Sequence, residues 1–71
     1  MIGKKIKYMR ESSGYSQKQL ADLVGVVQRT ISGYEIGKSQ PNYEMVERIA
    51  DICEFDIEIR DRNSGELVPE K

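Results

Sequence analysis

The stretch YSQKQLADLVGVVQRTISGYE, residues 15–35, decides the fold of this 71-residue chain. It contains two short amphipathic segments that meet at Gly25. Ser16 is a favourable N-cap for the first segment, because its hydroxyl can accept a hydrogen bond from a free backbone N–H. Gly25 stands where a left-handed residue commonly ends a helix, and Gly37 ends the second segment. Apolar residues recur at helical spacing in both segments: Leu20, Ala21, Val24, Val26, Ile31 and Tyr34.

Three of these residues predict a helix-turn-helix. Ala21 is small enough to let two short helices cross closely, Gly25 makes the turn, and Ile31 anchors the second helix in the core. The outer face of the second helix then carries Gln28, Arg29 and Ser32. Glutamine and arginine are suited to paired hydrogen bonds with adenine and guanine edges, so this face is a candidate for base recognition. The alternative is a solvated polar face on an ordinary core helix.

The segments GYSQKQLADLVGVVQRTISGYEIGK and PNYEMVERIADIC resemble the Cro/CI-type (Xre) helix-turn-helix family of phage and bacterial DNA-binding proteins. The resemblance covers Ile6 to Cys53. It implies a mainly α, lambda-repressor-like domain of four helices, with the helix at about residues 28–35 in the major groove of DNA. It further implies that Gln17 orients on a phosphate at a helix N-terminus and that Gln28 reads adenine, with contacts also from Arg29 and Ser32.

Two residues depart from the family pattern. Val27 stands where the family often has serine or threonine as the N-cap, and losing such a cap costs about 1 kcal/mol. An apolar side chain there could instead meet a thymine methyl group, so Val27 joins the base-reading candidates. Gly33 lies inside the same helix, where glycine costs about 1 kcal/mol relative to alanine. It lacks a side chain that relatives commonly direct at DNA.

The loop IGKSQPN, residues 36–42, follows the second motif helix. Lys38, Ser39 and free backbone amides suit contacts to phosphates, which set the register on DNA without reading sequence. The family uses this loop in the same way, and we expect Lys18 on the first motif helix to contribute a further phosphate contact. An ordinary surface loop is the alternative.

Two further helices complete the predicted domain, over Met1–Ser13 and Tyr43–Cys53. The first has an apolar stripe of Ile2, Ile6 and Met9, and Asn42 can cap the second. In the family, an arginine matching Arg10 often pairs with a glutamate matching Glu35. The resemblance therefore implies a partly buried ion pair between the first and third helices.

The last residues follow a different pattern. Phe55, Ile57 and Ile59 alternate with charged residues, which is the period of a strand, and a turn cluster and a short apolar run follow. We predict a DNA-binding domain over residues 1–54 and a C-terminal β-hairpin or strand over residues 55–71, in place of the family's fifth helix. A loose tail is the alternative.

The extension is also the predicted dimerisation element. A lone two-stranded hairpin is marginal in water and leaves an unpaired edge, which a second copy could satisfy. This resembles Cro proteins in which a C-terminal strand crosses the dimer interface. The carboxylates of Asp56 and Glu58 count against such pairing, because they could repel each other. In the alternative, Phe55 and Ile57 only cover the core of their own monomer.

The composition and the distribution of charge indicate which classes of function fit this chain. The net charge is −1, but residues 1–40 carry +4 and residues 41–71 carry −5, which predicts one basic and one acidic face. The chain has one cysteine, Cys53, and no histidine or Gly-rich nucleotide loop, so we expect no metal, no cofactor and no enzymatic activity. No apolar run reaches membrane length, and we expect a cytoplasmic protein.

These observations predict a homodimeric transcriptional regulator, expected to be a repressor, that binds a palindromic site on double-stranded DNA. The alternative is an antitoxin-like or adaptor module whose acidic C-terminal half binds a protein partner, with DNA binding secondary.

Overall fold

The computed structural model describes residues 2–69, in which four α-helices precede an extension without regular secondary structure. The helices are α1 (Ile2–Ser12), α2 (Gln17–Val24), α3 (Gln28–Glu35) and α4 (Tyr43–Cys53). The predicted mainly α, four-helix architecture is therefore confirmed. Met1, which the sequence places in the first helix, lies outside the described residues. None of the helices between residues 2 and 69 combines the length and apolar character needed to cross a membrane.

One core joins all four helices. Ile6, Leu20, Ile31 and Ile49 are fully buried, one from each helix, and each stabilises the fold by about 1.5–3 kcal/mol through its burial. Smaller buried residues fill the space between them, and Ala21 is among these. The core also contains the thiol of Cys53.

Both ends of α2 have the predicted caps. The Ser16 hydroxyl accepts from the backbone N–H of Gln19, while the Gln19 side chain accepts from the Ser16 N–H, so two otherwise unpaired donors are satisfied. At the other end of α2, Gly25 adopts φ 91° and its N–H donates to the carbonyl of Ala21 at 2.8 Å. Glycine reaches this left-handed conformation without the steric cost of a Cβ.

A non-glycine residue ends α4. Glu54 has φ 62°, and the N–H of Phe55 then donates to the carbonyl of Ala50 at 2.8 Å, the pattern of a helix C-terminus closed by a left-handed residue. This turn directs the Phe55 ring back toward α1. It meets the ring of Tyr8 edge to face, with 6.1 Å between ring centroids.

The predicted C-terminal β-hairpin is wrong for the residues that the structure describes. Residues 55–69 contain no strand, and their only ladder element is an isolated antiparallel bridge between Arg60 and Leu67. A turn connects the two bridged residues, and in it the Asp61 side chain accepts from the backbone N–H groups of Asn63 and Ser64. Glu70 and Lys71, also in the predicted extension, lie outside the described residues.

Residues 55–69 form no sheet because they have few strands to pair with. Phe55 leaves the alternating pattern, because its N–H closes α4 and its ring packs against the core. The rest has one short partner segment, and two strands alone do not bury enough surface to be stable in water. The alternation of Ile57 and Ile59 with charged residues therefore gives an extended exposed chain rather than a sheet.

Candidate nucleic-acid interface

The outer face of α3 carries the residues predicted to read bases. Gln28 and Arg29 are exposed in its first turn, and Ser32 is half-buried one turn later. Val27 precedes the helix as its N-cap, is 68% exposed, and makes no side-chain capping bond. On the opposite side, fully buried Ile31 fixes the helix to the core. This arrangement presents two side chains capable of paired hydrogen bonds, together with one apolar side chain.

An ion pair between α1 and α3 fixes the C-terminal end of that helix. Nε of Arg10 donates to Oε2 of Glu35 at 2.6 Å, and Nη2 donates to Oε1 at 3.0 Å. The two side chains are only 11% and 4% exposed. A third guanidinium nitrogen, Nη1, donates to the carbonyl of Tyr15 at 2.9 Å, so Arg10 also contacts the segment that enters α2.

The electrostatics of this pair favour both charged forms. Burial alone would raise the pKa of Glu35, but hydrogen bonds from Arg10 and Gln17 and the charges of Arg10 and Lys7 outweigh it, so the pKa lies below its ordinary value. The hydrogen bond with Glu35 raises the pKa of Arg10 above its ordinary value, against the opposing effect of burial. A buried pair of this kind is stable only as a pair, because either partner left alone would be an uncompensated charge.

Gln17 connects the ion pair to the start of α3. Its Nε2 donates to Oε1 of Glu35 at 3.1 Å, and its Oε1 lies 3.5 Å from Nε2 of Gln28, a long contact. Arg10, Glu35, Gln17 and Gln28 therefore form one continuous chain of side chains. One N–H of the Gln17 amide is used by Glu35, which leaves the other available for a further acceptor.

The loop after α3 differs from its prediction in one respect. Lys38 and Ser39 are exposed, but their backbone amides are not free: both donate to the carbonyl of Gly33, at 2.9 and 3.3 Å, and the Gly37 amide donates to Tyr34. The expectation of free amides at these positions is wrong, because the loop turns back over the end of α3. The amides of Lys38 and Ser39 are thus used within the loop, and only the side chains of these two residues remain as candidates for the predicted phosphate contacts.

Gly33 has a role here that its sequence context did not indicate. A Cβ at this position would lie 3.1 Å from the hydroxyl oxygen of Ser39. The Ser39 hydroxyl therefore lies close over Gly33, and a side chain at position 33 would require this hydroxyl to shift by a few tenths of an ångström. Lys18, the remaining phosphate candidate, is exposed and lies 3.5 Å from Asp22 in a surface pair one turn along α2. Such exposed pairs contribute little to stability, so Lys18 can leave Asp22 and bind another anion at little energetic cost.

Two of the three residues predicted for dimerisation lie beside α1. Phe55 and Ile57 line an open groove of about 500 Å³ together with Ile2, Tyr8 and Met9 of α1. Phe55 is packed on the monomer's own core, as the alternative interpretation expected of it, whereas Ile57 and Ile59 are 37% and 56% exposed. The rim of the groove carries charges of both signs: Lys4, Lys5, Asp56 and Glu58.

Comparison with known proteins adds a family match. The model of the family HTH_3, described as helix-turn-helix, matches residues 6–59. The chain is 43% identical over 54 residues to Repressor protein C of Escherichia phage P2, which covers 76% of this chain and 54% of that protein. It is also 36% identical over 52 residues to the SPbeta prophage-derived uncharacterized HTH-type transcriptional regulator YonR of Bacillus subtilis (strain 168). The matched region covers 73% of this chain and 48% of that protein. The chain thus spans about half the length of these two relatives.

Two solved structures have the same fold. SinR, the master regulator for biofilm formation, in complex with DNA superposes with a TM-score of 0.72 at 30% identity, covering 79% of this chain and 90% of that one. The P22 c2 repressor in complex with a synthetic operator superposes with a TM-score of 0.71 at 25% identity, covering 79% and 85%.

Proposed function

Because this chain belongs to the helix-turn-helix family HTH_3, the Cro/CI-type family that its sequence resembles, we propose that it is a sequence-specific transcriptional regulator of double-stranded DNA. The proposal is for a repressor, acting in the cytoplasm without enzymatic chemistry. Support comes from the phage repressor among its relatives and from the two DNA-bound structures that share its fold. The predicted family membership is confirmed.

The observation that carries this proposal is the exposure of Gln28 and Arg29 on a helix fixed to the core. Their backbone is held from behind by Ile31 and at the far end by the Arg10–Glu35 pair. Because the backbone of such an element is already ordered, its side chains can be placed precisely enough for their hydrogen-bonding groups to distinguish bases. In the major groove, Gln28 would bond adenine and Arg29 would bond guanine.

Val27 and Ser32 would complete the base contacts. The side chain of Val27 is exposed and makes no capping hydrogen bond, so it contributes little to the stability of the monomer. Contact with a thymine methyl group would bury it, and burying an apolar side chain is favourable. Ser32, one turn after Gln28 and Arg29, would contact a base edge or the adjoining sugar-phosphate.

Phosphate contacts would position α3 without reading sequence. Lys38 and Ser39 lie directly after α3, and Gln17 and Lys18 begin α2, whose N-terminus carries partial positive charge. Phosphates on either side of the major groove would then meet basic or polar groups. The net positive charge of residues 1–40 adds a long-range attraction to DNA.

We propose further that the groove beside Phe55 and Ile57 forms the dimer interface. Ile57 and Ile59 expose apolar surface, and the groove rim has a basic side on α1 and an acidic side on the extension. A second copy related by a two-fold axis would oppose Lys4 and Lys5 to the acidic residues of its partner and avoid repulsion between like charges. Two copies of α3 would then bind successive major-groove segments of a palindromic site, about 34 Å apart.

In-vitro selection from random duplexes, followed by salt titration on the selected sequence, tests the proposed function. We expect one enriched motif and a steep fall in affinity with rising salt, since phosphate contacts release counterions. Absence of an enriched motif, with weak binding of all duplexes and co-purification of a protein partner, would favour the adaptor function instead.

A further inference from the structure

Gly3 is a point of close backbone approach between α1 and α3. It lies in the first turn of α1 and is buried against the last residues of α3. A Cβ at position 3 would overlap the carbonyl oxygen of Tyr34 and would lie 2.7 Å from that of Glu35. Both obstacles are backbone atoms, so no rotation of a side chain could relieve the overlap. Any residue larger than glycine requires α1 and α3 to move apart.

The two carbonyls belong to the last two residues of α3. Tyr34 accepts a hydrogen bond from the backbone N–H of Gly37 at 3.2 Å, and the neighbouring carbonyl of Gly33 accepts that of Lys38 at 2.9 Å. Displacement of these carbonyls would therefore move Lys38 as well as α3. The same contact is electrostatically favourable, because the N-terminal turn of α1 carries partial positive charge and the C-terminal carbonyls of α3 carry partial negative charge.

Glu35 is held by α1 at two places. Its backbone lies against Gly3, while its carboxylate is bound by Arg10, two turns further along the same helix. These two contacts hold the C-terminal end of α3, while Ile31, one turn earlier, is buried in the core. The distance and tilt of α3 relative to α1 therefore depend on both.

We propose that Gly3 is a positioning residue for DNA recognition: its lack of a side chain sets the distance and tilt of α3 on α1, and with them the placement of Gln28 and Arg29 relative to the phosphate contacts of the loop. This inference rests on the proposed function, since α3 is the element taken to read DNA. Base recognition requires side chains placed to within a fraction of an ångström, whereas non-specific attraction to phosphates does not. A substitution at Gly3 should therefore reduce specific binding more than non-specific binding.

The test compares Gly3→Ala with Ser12→Ala, an exposed position of the same helix, at a temperature where urea titration shows every protein to be fully folded. Dissociation constants are measured for the selected duplex and for a scrambled duplex of equal length. We expect Gly3→Ala to lower the ratio of specific to non-specific affinity about tenfold, the equivalent of one lost base contact, and Ser12→Ala to leave the ratio unchanged. A purely structural role would lower stability but not this ratio in the folded protein. An unchanged ratio for Gly3→Ala would overturn the proposal.

NMR separates failure of this inference from failure of the proposed function. If the wild-type protein does not distinguish the two duplexes, the proposed function fails, and the positioning role is then decided by amide resonances. Gly3→Ala should shift those of residues 34–39 more than those of α2, and equal shifts would overturn the inference. If Gly3→Ala does not fold, nuclear Overhauser contacts in the wild-type protein between the Gly3 α-protons and the Ile36 amide decide it. Their presence supports the close approach and their absence overturns it.

Discussion

Arg10 and Glu35 are joined by two parallel hydrogen bonds, at 2.6 and 3.0 Å, across the packing interface of α1 and α3. The paired geometry matches the planar fork of the guanidinium to both carboxylate oxygens, which makes it stronger than a single contact. Through Gln17, the same carboxylate is connected to Gln28 at the start of α3. One buried group thus contributes both to the stability of the fold and to the placement of the outer face of α3.

Replacing Glu35 with alanine should strongly destabilise the fold. The change leaves the Arg10 guanidinium buried without its partner, and breaking one side of a buried pair typically costs about 3–5 kcal/mol. Urea unfolding measures the loss directly. Asp22→Ala is the matched control: it breaks the exposed pair with Lys18, which should cost about 1 kcal/mol or less. Similar small losses for both variants would contradict a buried role for Glu35.

The stability of the wild-type protein should fall in acid partly because of Glu35. Its pKa in the folded protein lies below the ordinary value of 4.5, so the unfolded chain binds a proton more readily than the folded one. The carboxylate therefore contributes its full stabilisation above that ordinary value and loses it as pH falls through the lower folded-state pKa. Urea unfolding at several pH values, from about 6 down to about 3, should show a shallower loss for Glu35→Gln than for the wild type. Parallel curves would rule out this contribution.

Glycine at position 54 should stabilise the protein. Glu54 has φ 62° at the end of α4, where a left-handed non-glycine residue costs about 1 kcal/mol, and its negative charge opposes the helix dipole. Allowing for the greater entropy of glycine in the unfolded chain, we expect Glu54→Gly to gain about 0.5 kcal/mol. Glu54→Gln removes the charge but keeps the strained conformation, and should recover only part of the gain. If the two variants proved equally stable, backbone strain would not be the cause.

The proposed dimer predicts a concentration-dependent sedimentation coefficient. Ile59→Glu places a charge on exposed apolar surface, so it should weaken association without unfolding the monomer, whose core lies elsewhere. Leu23→Glu, at an equally exposed position on α2, is the control and should sediment like the wild type. Sedimentation equilibrium at micromolar concentrations makes the comparison. A wild-type protein that stays monomeric with and without its DNA site would exclude the dimer.

Local chemistry made most of the fold predictable. Ser16, Gly25 and Asn42 occupy helix ends whose hydrogen bonds involve neighbouring residues, and the structure has these caps at the expected places. The apolar periodicity of each helix likewise identified the buried residues, because one helix face must enter the core. The outer face of α3 follows from the same periodicity, and the roles of its side chains in DNA binding remain predictions.

The features that sequence reasoning missed depend on contacts between distant parts of the chain. In the sequence, Gly3 is an ordinary helix residue, and its importance depends on the packing of α3 against it. Phe55 fits a strand pattern in the sequence, but in the structure its ring packs against Tyr8. The end of α4 at Cys53 was predicted, but the left-handed conformation of Glu54 was not, because glycine is the residue that usually marks this conformation. The amide of Lys38 was expected to be free, but it donates to the carbonyl of Gly33, five residues earlier, because the loop turns back over the end of α3.

Base recognition by α3 is tested most directly by repeating the in-vitro selection with Gln28→Ala and Arg29→Ala, beside Lys38→Ala as the phosphate-contact control. Each base-reading variant should lose preference at one or two base pairs of the selected motif and about 1–3 kcal/mol on the wild-type site. Lys38→Ala should bind every duplex more weakly and keep the wild-type motif, with a smaller salt dependence. Selection of the wild-type motif with undiminished affinity by both Gln28→Ala and Arg29→Ala would contradict the placement of α3 in the major groove.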